Sequence, residues 1–369
     1  MEKIDLFIND LRNLYINSES LMQIKSELEE FIKFIPMNNL SFAKNVMLSE
    51  EIKSNNLVEG YLDDLKHIDE VVKSKDIESP KDQRILNLYK GYKYILKQKN
   101  INKESLKNLY SILSKNLLIA YDINHMGKYY RNDKVFIYNS SDISKEPDEG
   151  LPCNKIEEYM DYLFEYINSN NNLETQTDFY IKSQIMHFYF VYIHPYFDVN
   201  GRTSRTTSMW YLLNNEVYPY IIFNRGINFD KSTYYRAILE AKKYGNITIF
   251  LKYMLENVKI ELEKEYLILN IESLTEKLSV QEKQTLNYIL SMKQQRNLKT
   301  FNEFYSRFND RRKLKEVNET LIEPLLEKNI IEKKENTKGK IYNGNNNFRF
   351  EIKDSLIDKD ENKIKRLVL

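Results

Sequence analysis

The chain predicts a mainly α-helical protein. Glycine and proline are scarce, 9 and 7 in 369 residues, and apolar residues recur three and four apart over long stretches. Strand-like runs are few, short and bounded by turn formers. The length corresponds to two or three domains at about 100–200 residues each, and 42% hydrophobic residues give each a core.

From the N-terminus, Ile4, Phe7, Ile8, Leu11, Leu14 and Tyr15 form one helical stripe and Leu21, Ile24, Leu28, Phe31 and Ile32 another, closed by Pro36. Ser41 is placed to cap a segment over 42–75, and Pro80 separates it from helices near 81–98 and 103–119. The run GKYYRNDKVFIYNSSD from 127 breaks the pattern: Val135, Phe136, Ile137 and Tyr138 lie between turn formers, and the irregular stretch continues to Pro152. An exposed hairpin or loop is expected there. Helical spacing returns at 154–168 and 178–193, stops at HPYFDVNG, and restarts at Arg202 towards Leu213. Helices near 230–243 and 247–267 follow.

Beyond 270 the pattern changes. A helix near 280–293 and shorter ones near 301–308 and 313–328 precede NIIEKKENTKGKIYNG, two strand-like runs about a Lys-Gly turn. Three helices and a hairpin outline a winged helix. Residues 271–369 hold 21 basic and 16 acidic side chains, net +5, against −4 for residues 1–270. Binding to DNA and packing on a protein partner both stay open for such a domain. Arg311-Arg312-Lys313 reads as a solvated turn before it reads as a nucleic-acid contact.

Several function classes are excluded. The 55 basic and 54 acidic residues nearly cancel, so no long-range field steers the whole chain to nucleic acid or an anionic membrane. The single cysteine, Cys153, rules out an intramolecular disulfide framework and a cysteine-based zinc site. The glycines form neither GxGxxG nor GxxxxGK(S/T). The N-terminal MEKIDLFINDLRNLY lacks a basic n-region and an apolar core, and no window reaches the ~18 apolar residues of a membrane span. A cytoplasmic protein is expected.

One segment carries chemistry: His194-Pro195-Tyr196-Phe197-Asp198-Val199-Asn200-Gly201-Arg202-Thr203-Ser204-Arg205. It sits between two helical patterns, at the start of the second. The first N–H groups of a helix lack partners and the macrodipole is positive there, so anions bind. Arg202 and Arg205, three apart on one face, extend that site for a polyphosphate. Asp198 suits Mg²⁺, which takes one or two carboxylates plus substrate phosphates. His194 is the natural base at neutral pH for a hydroxyl attacking a bound phosphate. His67, His125 and His187 lack such company and read as structural.

This segment resembles the Fic (Fic/Doc) family signature, HPFx(D/E)GNGRxxR, at seven fixed positions: His194, Pro195, Asp198, Asn200, Gly201, Arg202 and Arg205. A chance match in one window is on the order of 10⁻⁹. Gly127, Tyr130-Arg131, Val135, Ile137, Pro152 and Tyr234-Tyr235 also resemble the family layout, over about 90–260. The resemblance implies a Fic-type helical core with a short β-hairpin flap, here joined to a C-terminal winged helix-turn-helix domain. It implies transfer of AMP from ATP to a Ser, Thr or Tyr hydroxyl of a target protein, with the protein itself among the candidate targets. By position, His194 would be the base, Asp198 the Mg²⁺ ligand, Asn200, Gly201 and Arg202 the holders of the α- and β-phosphates, and Arg205 the γ-phosphate partner. Val135, Phe136 and Ile137 would belong to the flap that docks the target backbone as an added strand. Tyr234 or Tyr235 would contact the base. A homodimer is as compatible as a monomer.

Two departures qualify the resemblance. Tyr196 for Phe keeps an aromatic anchor, whereas Val199 stands where the family has glycine, and a β-branched residue resists φ > 0. At 51–60, EIKSNNLVEG is similar to the family's inhibitory (S/T)xxxE(G/N): Glu59-Gly60 match, and Asn55 stands at the Ser/Thr position. An inhibitory Glu59–Arg205 pair is expected. Two rivals remain: a DNA-binding or interaction regulator whose core binds nucleotide without transfer, and a Fic-type phosphotransferase. The expected organisation is an N-terminal helical region over 1–90, a catalytic core over 91–265 and a winged helix over 275–369.

Overall fold

The apolar stripe Ile4 to Leu14 lies outside the described residues. Glu2–Lys3 (β1) and Tyr15–Ile16 (β2) pair antiparallel, and α1 runs over Ser18–Phe34. Tyr and Ile favour strands, and the Asn-Ser pair at 17–18 favours a helix start over a helix interior. The computed structural model describes residues 2–3, 15–16, 18–34, 48–63, 65–137, 148–169, 173–217, 222–228, 230–291, 314–335 and 348–356. The expected cap at Ser41, the helix near 301–308, the basic run 311–313 and Tyr138 lie outside these. Among the described residues no helix is long and apolar enough to cross a membrane.

The chain divides into two compact units, residues 1–61 with 65–259 and residues 62–64 with 260–369. In the first, the segment expected as one helix over 42–75 is two: α2 (Leu48–Val58) and α3 (Leu65–Ser74). Gly60, at φ 87°, ends the first of them. Next come α4 (Pro80–Ile95), α5 (Lys103–Leu113) and the one-turn α6 (Ala120–Asn124). Ser79 caps α4 and Pro80 opens it. Asn102 and Ser105 cap α5 reciprocally. The expected hairpin is present as β3 (Phe136–Ile137) paired antiparallel with β4 (Asp148–Glu149).

The centre of this unit is α8 (Gln176–Ile193) lying along α9 (Asn200–Asn214), with α7 (Cys153–Asn168) beside α8. Helix α8 is buried nearly all round, which its sequence QIMHFYFVYI permits. Helix α9 is also buried although it reads NGRTSRTTS, because its hydroxyls find partners inside. Thr203 and Thr207 donate to carbonyls four residues back, and Ser204 and Ser208 donate to the His187 and Ser183 carbonyls of α8. Helices α10 (Ile222–Ile227), α11 (Lys231–Tyr244) and the first part of α12 (Thr248–Leu274) complete the unit.

The second unit has its own core. Leu267 and Ile271 of α12, Leu286 and Ile289 of α13 (Val280–Ser291), and Leu321 and Leu325 in the helical stretch 314–327 pack with Ile331 and Ile352. Strand β5 (Ile331–Glu335) pairs antiparallel with β6 (Phe348–Ile352), in register Ile331↔Ile352 to Glu335↔Phe348. The expected Lys338-Gly339 turn and the run that follows it lie outside the described residues, and the described partner of β5 is 348–352. Ile352 supplies the apolar side chain that faces the core, and pairing follows that burial.

Candidate active site

The break between α8 and α9 holds the motif in two left-handed residues. His194 closes α8 at φ 52°, ψ 60°, and Val199 opens α9 at φ 65°, ψ 10°. The valine therefore adopts the conformation that its β-branch resists, a strain of about 1–2 kcal/mol. Between them the loop is stapled by Asn200, whose Oδ1 accepts from the Tyr196 N–H at 3.0 Å while Nδ2 donates to the Tyr196 carbonyl at 2.8 Å. The Asn200 side chain thus holds the loop with one of its two amide N–H groups, and its backbone N–H stands at the start of the helix. Tyr196 is wholly buried and stacks on Tyr110, ring centroids 3.5 Å apart, so the aromatic anchor is kept.

The first intrahelical bond of α9 runs from the Thr203 N–H to the Val199 carbonyl at 2.9 Å, leaving the N–H groups of Asn200, Gly201 and Arg202 without helical acceptors. Arg202 is buried, with its Nε unpartnered. Asp198 is exposed and pairs with no described cation. A buried guanidinium with an unpartnered Nε beside free helix N–H groups fits a polyphosphate, and one exposed carboxylate fits the Mg²⁺ that accompanies it. Among the described residues no three His, Cys, Asp or Glu side chains gather into a protein-only metal cage.

Arg205 is already occupied. Its Nη2 donates to Glu59 Oε1 at 2.5 Å and to the Asn55 carbonyl at 3.3 Å, and its Nε donates to Asn55 Oδ1 at 3.0 Å. Only 1% of the arginine side chain is exposed, against 30% of Glu59. Burial alone would raise the Glu59 pKa, but the charge and hydrogen bond of Arg205 overcome it and hold the carboxyl below its ordinary range. Burial alone would lower Arg205, and Glu59 instead raises it. The carboxylate lies against Gly201, where an added Cβ would collide with Glu59 Oε1. Any larger residue at 201 would expel it.

Helix α2 delivers Glu59 and is held by its own backbone. The carbonyls of Ser54, Leu57 and Val58 accept from Asn228, Lys231 and Tyr235 at 2.9, 2.9 and 3.1 Å. With the bond from Arg205 to Asn55, these satisfy the C-terminal carbonyls that a helix leaves open. Behind it lies a buried relay: Asn55 Nδ2 donates to the Tyr92 hydroxyl at 2.8 Å, and that hydroxyl donates to Glu51 Oε1 at 2.7 Å. Asn224 also donates to Glu51 Oε1. Burial pushes the Glu51 carboxyl up to about 8, with the bonds from Tyr92 and Asn224 opposing. Sequence reasoning missed Glu51 and Tyr92. The four-residue spacing of 51, 55 and 59 was the available signal.

The other expected residues divide. His194 is depressed to about 4, chiefly by burial, with the Val191 carbonyl opposing and the charges of Arg131 and Lys242 adding to the fall. Its imidazole is neutral near pH 7. Tyr234 is fully buried with its hydroxyl on His187 Nε2 at 2.8 Å, so it serves the core and is closed to a nucleotide base. Tyr235 is spent on α2 through Val58. In the hairpin, Phe136 is exposed and Ile137 partly so, while Val135 is buried and its carbonyl accepts from the Gly150 N–H at 2.9 Å. Val135 is thus an anchor of the flap, and its outer edge belongs to 136–137.

Residues 99–212, including the whole motif, match the Fic/DOC family model. That segment is similar to a Fic/DOC domain. Members of this family typically transfer nucleotide or phosphate groups to proteins. Solved Fic structures share the fold at low identity. A Fic family protein from Desulfovibrio desulfuricans G20 is 16% identical with a TM-score of 0.57, over 93% of this chain and 98% of that one. A fragment of Fic-1 from C. elegans is 15% identical with a TM-score of 0.53, over 69% and 73%. A Fic-domain signaling protein from Bacteroides thetaiotaomicron VPI-5482 is 15% identical with a TM-score of 0.51, over 67% and 95%. No curated protein is significantly similar to the chain in sequence.

Proposed function

We propose that this chain is a protein adenylyltransferase held inactive by Glu59. The observation that carries the reading is the 2.5 Å Glu59–Arg205 pair laid against Gly201, at the helix start where Arg202 Nε is buried without a partner. A polyphosphate can satisfy Arg202, the free N–H groups of α9 and, once Glu59 leaves, Arg205. Mg²⁺ on Asp198 would neutralise developing phosphate charge. His194 takes the proton of a target Ser, Thr or Tyr hydroxyl. The hydroxyl oxygen bonds to the α-phosphorus, the bond to the bridging oxygen breaks, and pyrophosphate leaves with its electron pair. A base depressed to about 4 is weak, and the negative charge of the triphosphate beside it strengthens it. The outer edge of β3 at Phe136–Ile137 suits an added target strand.

Intact mass of the purified protein after incubation with ATP and Mg²⁺ tests the reading. A gain of one AMP supports it, and a gain of one phosphate favours the phosphotransferase. His194→Ala should abolish the gain with ATP affinity nearly unchanged, since a general base contributes about 10²–10⁴ in rate and does not hold phosphate. Transfer by that variant at the parent rate would refute the role of His194.

For 275–369 we propose a winged helix. The described hairpin weighs towards packing more than towards DNA, because Lys334 is taken up by Glu332 at 2.9 Å and Glu351 at 3.1 Å. A duplex-binding assay across salt concentrations tests this; DNA contacts would give a salt slope that falls on replacing Arg311 and Arg312.

A further inference from the structure

We propose that Arg131 is a positioning residue that ties the backbone of His194 to both strands of the flap hairpin. The inference rests on His194 acting as the base. Arg131 is 2% exposed, and its guanidinium spends itself on three carbonyls from three segments. Nε donates to His194 at 2.8 Å, Nη1 to Asp133 at 2.7 Å just before β3, and Nη2 to Leu151 at 2.5 Å just after β4. Its own N–H donates to the Pro195 carbonyl at 3.0 Å. The two peptides that follow the left-handed His194 are therefore both gripped by one residue. Space for it is made by Gly150, where a Cβ would lie 3.1 Å from Nη2 and collide with Val135 Cγ1.

The chemistry of the contacts decides between a positioning and a generic structural role. A buried arginine kept for stability alone is usually paired with a carboxylate. Here all three side-chain bonds go to carbonyls, on the base and on the two strand ends. Only a planar fork can span these directions, so lysine cannot replace it. His194 at φ 52° is strained by about 1–2 kcal/mol and relaxes unless its neighbours over-determine it. A shift of ~1 Å at a base costs about 10²-fold. The same fork makes the base sense the hairpin: a target strand that moves β3 or β4 pulls on the His194 carbonyl through Arg131. The guanidinium charge also contributes to the depressed His194 pKa.

The test uses the full chain with Glu59→Gly added to give measurable transfer. Arg131→Lys keeps the charge and loses the fork; Arg131→Met loses both. Four histidines in the chain make the imidazole NMR spectrum simple, and the His194 signal is the one lost in His194→Ala. Both variants are expected to lose about 10–100-fold in single-turnover rate with ATP affinity within about twofold. Both should shift the His194 ring signal, and Arg131→Met should raise its titration midpoint more than Arg131→Lys. A folded Arg131→Lys with an unmoved His194 signal overturns the inference, whatever the activity. If the signal moves but His194→Ala still transfers, the positioning stands and the reading of His194 as base fails. Should Arg131→Met not fold, Arg131→Lys together with exchange of the Arg131 Nε–H in the unaltered side chain decides: slow exchange supports the bond to His194, and fast exchange overturns it.

Discussion

Glu59 and Arg205 set the residue-scale question, because each is stabilised by the other and the proposed function has a ligand phosphate replace Glu59. Removing the carboxylate leaves Arg205, 1% exposed, as a buried unpaired charge, which typically costs 3–5 kcal/mol. Glu59→Gly is therefore expected to lower Tm without ligand, to gain more Tm from Mg-ATP than the parent does, and to raise self-modification at least about tenfold. Adding Arg205→Ala should return transfer to background. Thermal melts with and without ATP, read beside intact mass, check all three; a Glu59→Gly protein no more active than its parent would leave α2 without an inhibitory part. Val199 gives a second case. Its φ of 65° means the loop path is already the one a glycine would take, so the strain is borne by the fold and not by the ligand. Val199→Gly in the Glu59→Gly background should stay within about threefold in kcat/KM for ATP. A large gain would show that the valine side chain, and not the backbone, obstructs phosphate.

At the scale of elements, α2 is locked twice: by carbonyls facing Asn228, Lys231 and Tyr235, and by the relay from Asn55 through Tyr92 to Glu51. The relay has a direction. Glu51 Oε1 accepts the hydrogen bond of the Tyr92 O–H, so the phenol oxygen accepts from the Asn55 amide nitrogen, which turns the amide oxygen towards Arg205 Nε. Tyr92→Phe removes the reason for that orientation and leaves buried groups unsatisfied, a loss of about 1–3 kcal/mol. Basal self-modification should rise in this variant, by less than in Glu59→Gly because the carboxylate remains; unchanged basal transfer in a folded Tyr92→Phe would mean that the relay only stabilises. The motif and Glu59 were legible in the sequence because each is a short segment with its chemistry adjacent along the chain. Tyr92, Asn224 and Arg131 were not, since their partners lie 41, 173 and 63 residues away and only packing brings them together.

For the whole molecule, the buried titrating groups set how stability depends on pH. His187 and His194 are depressed, mainly by burial, to about 3 and about 4, so the unfolded chain binds more protons than the folded one below about pH 6.5 and stability rises with pH there. Glu51 is raised to about 8, so the folded protein holds a proton that the unfolded chain releases, and its contribution is lost as pH climbs through about 8. Stability should therefore fall between about pH 6.5 and 8, by at most about 1.4 kcal/mol per pH unit, and Glu51→Gln should flatten that fall. Denaturant titrations across this range measure it, and an equal slope in both proteins removes Glu51 as the source. Taken alone, the sequence determined the helical class, most helix positions within the first unit, the twelve-residue motif at 194–205 and the register of Glu59 beside its helix, because spacing and adjacency are properties of a chain. Tertiary structure decided that 2–3 and 15–16 pair as strands, that β5 meets 348–352, that Asn200 staples its own loop and Tyr234 is closed to ligand, and that Arg131 and Tyr92 stand behind the site. Those outcomes depend on which buried polar groups find partners once distant segments pack, and a desolvated donor or acceptor must be satisfied wherever the chain folds it.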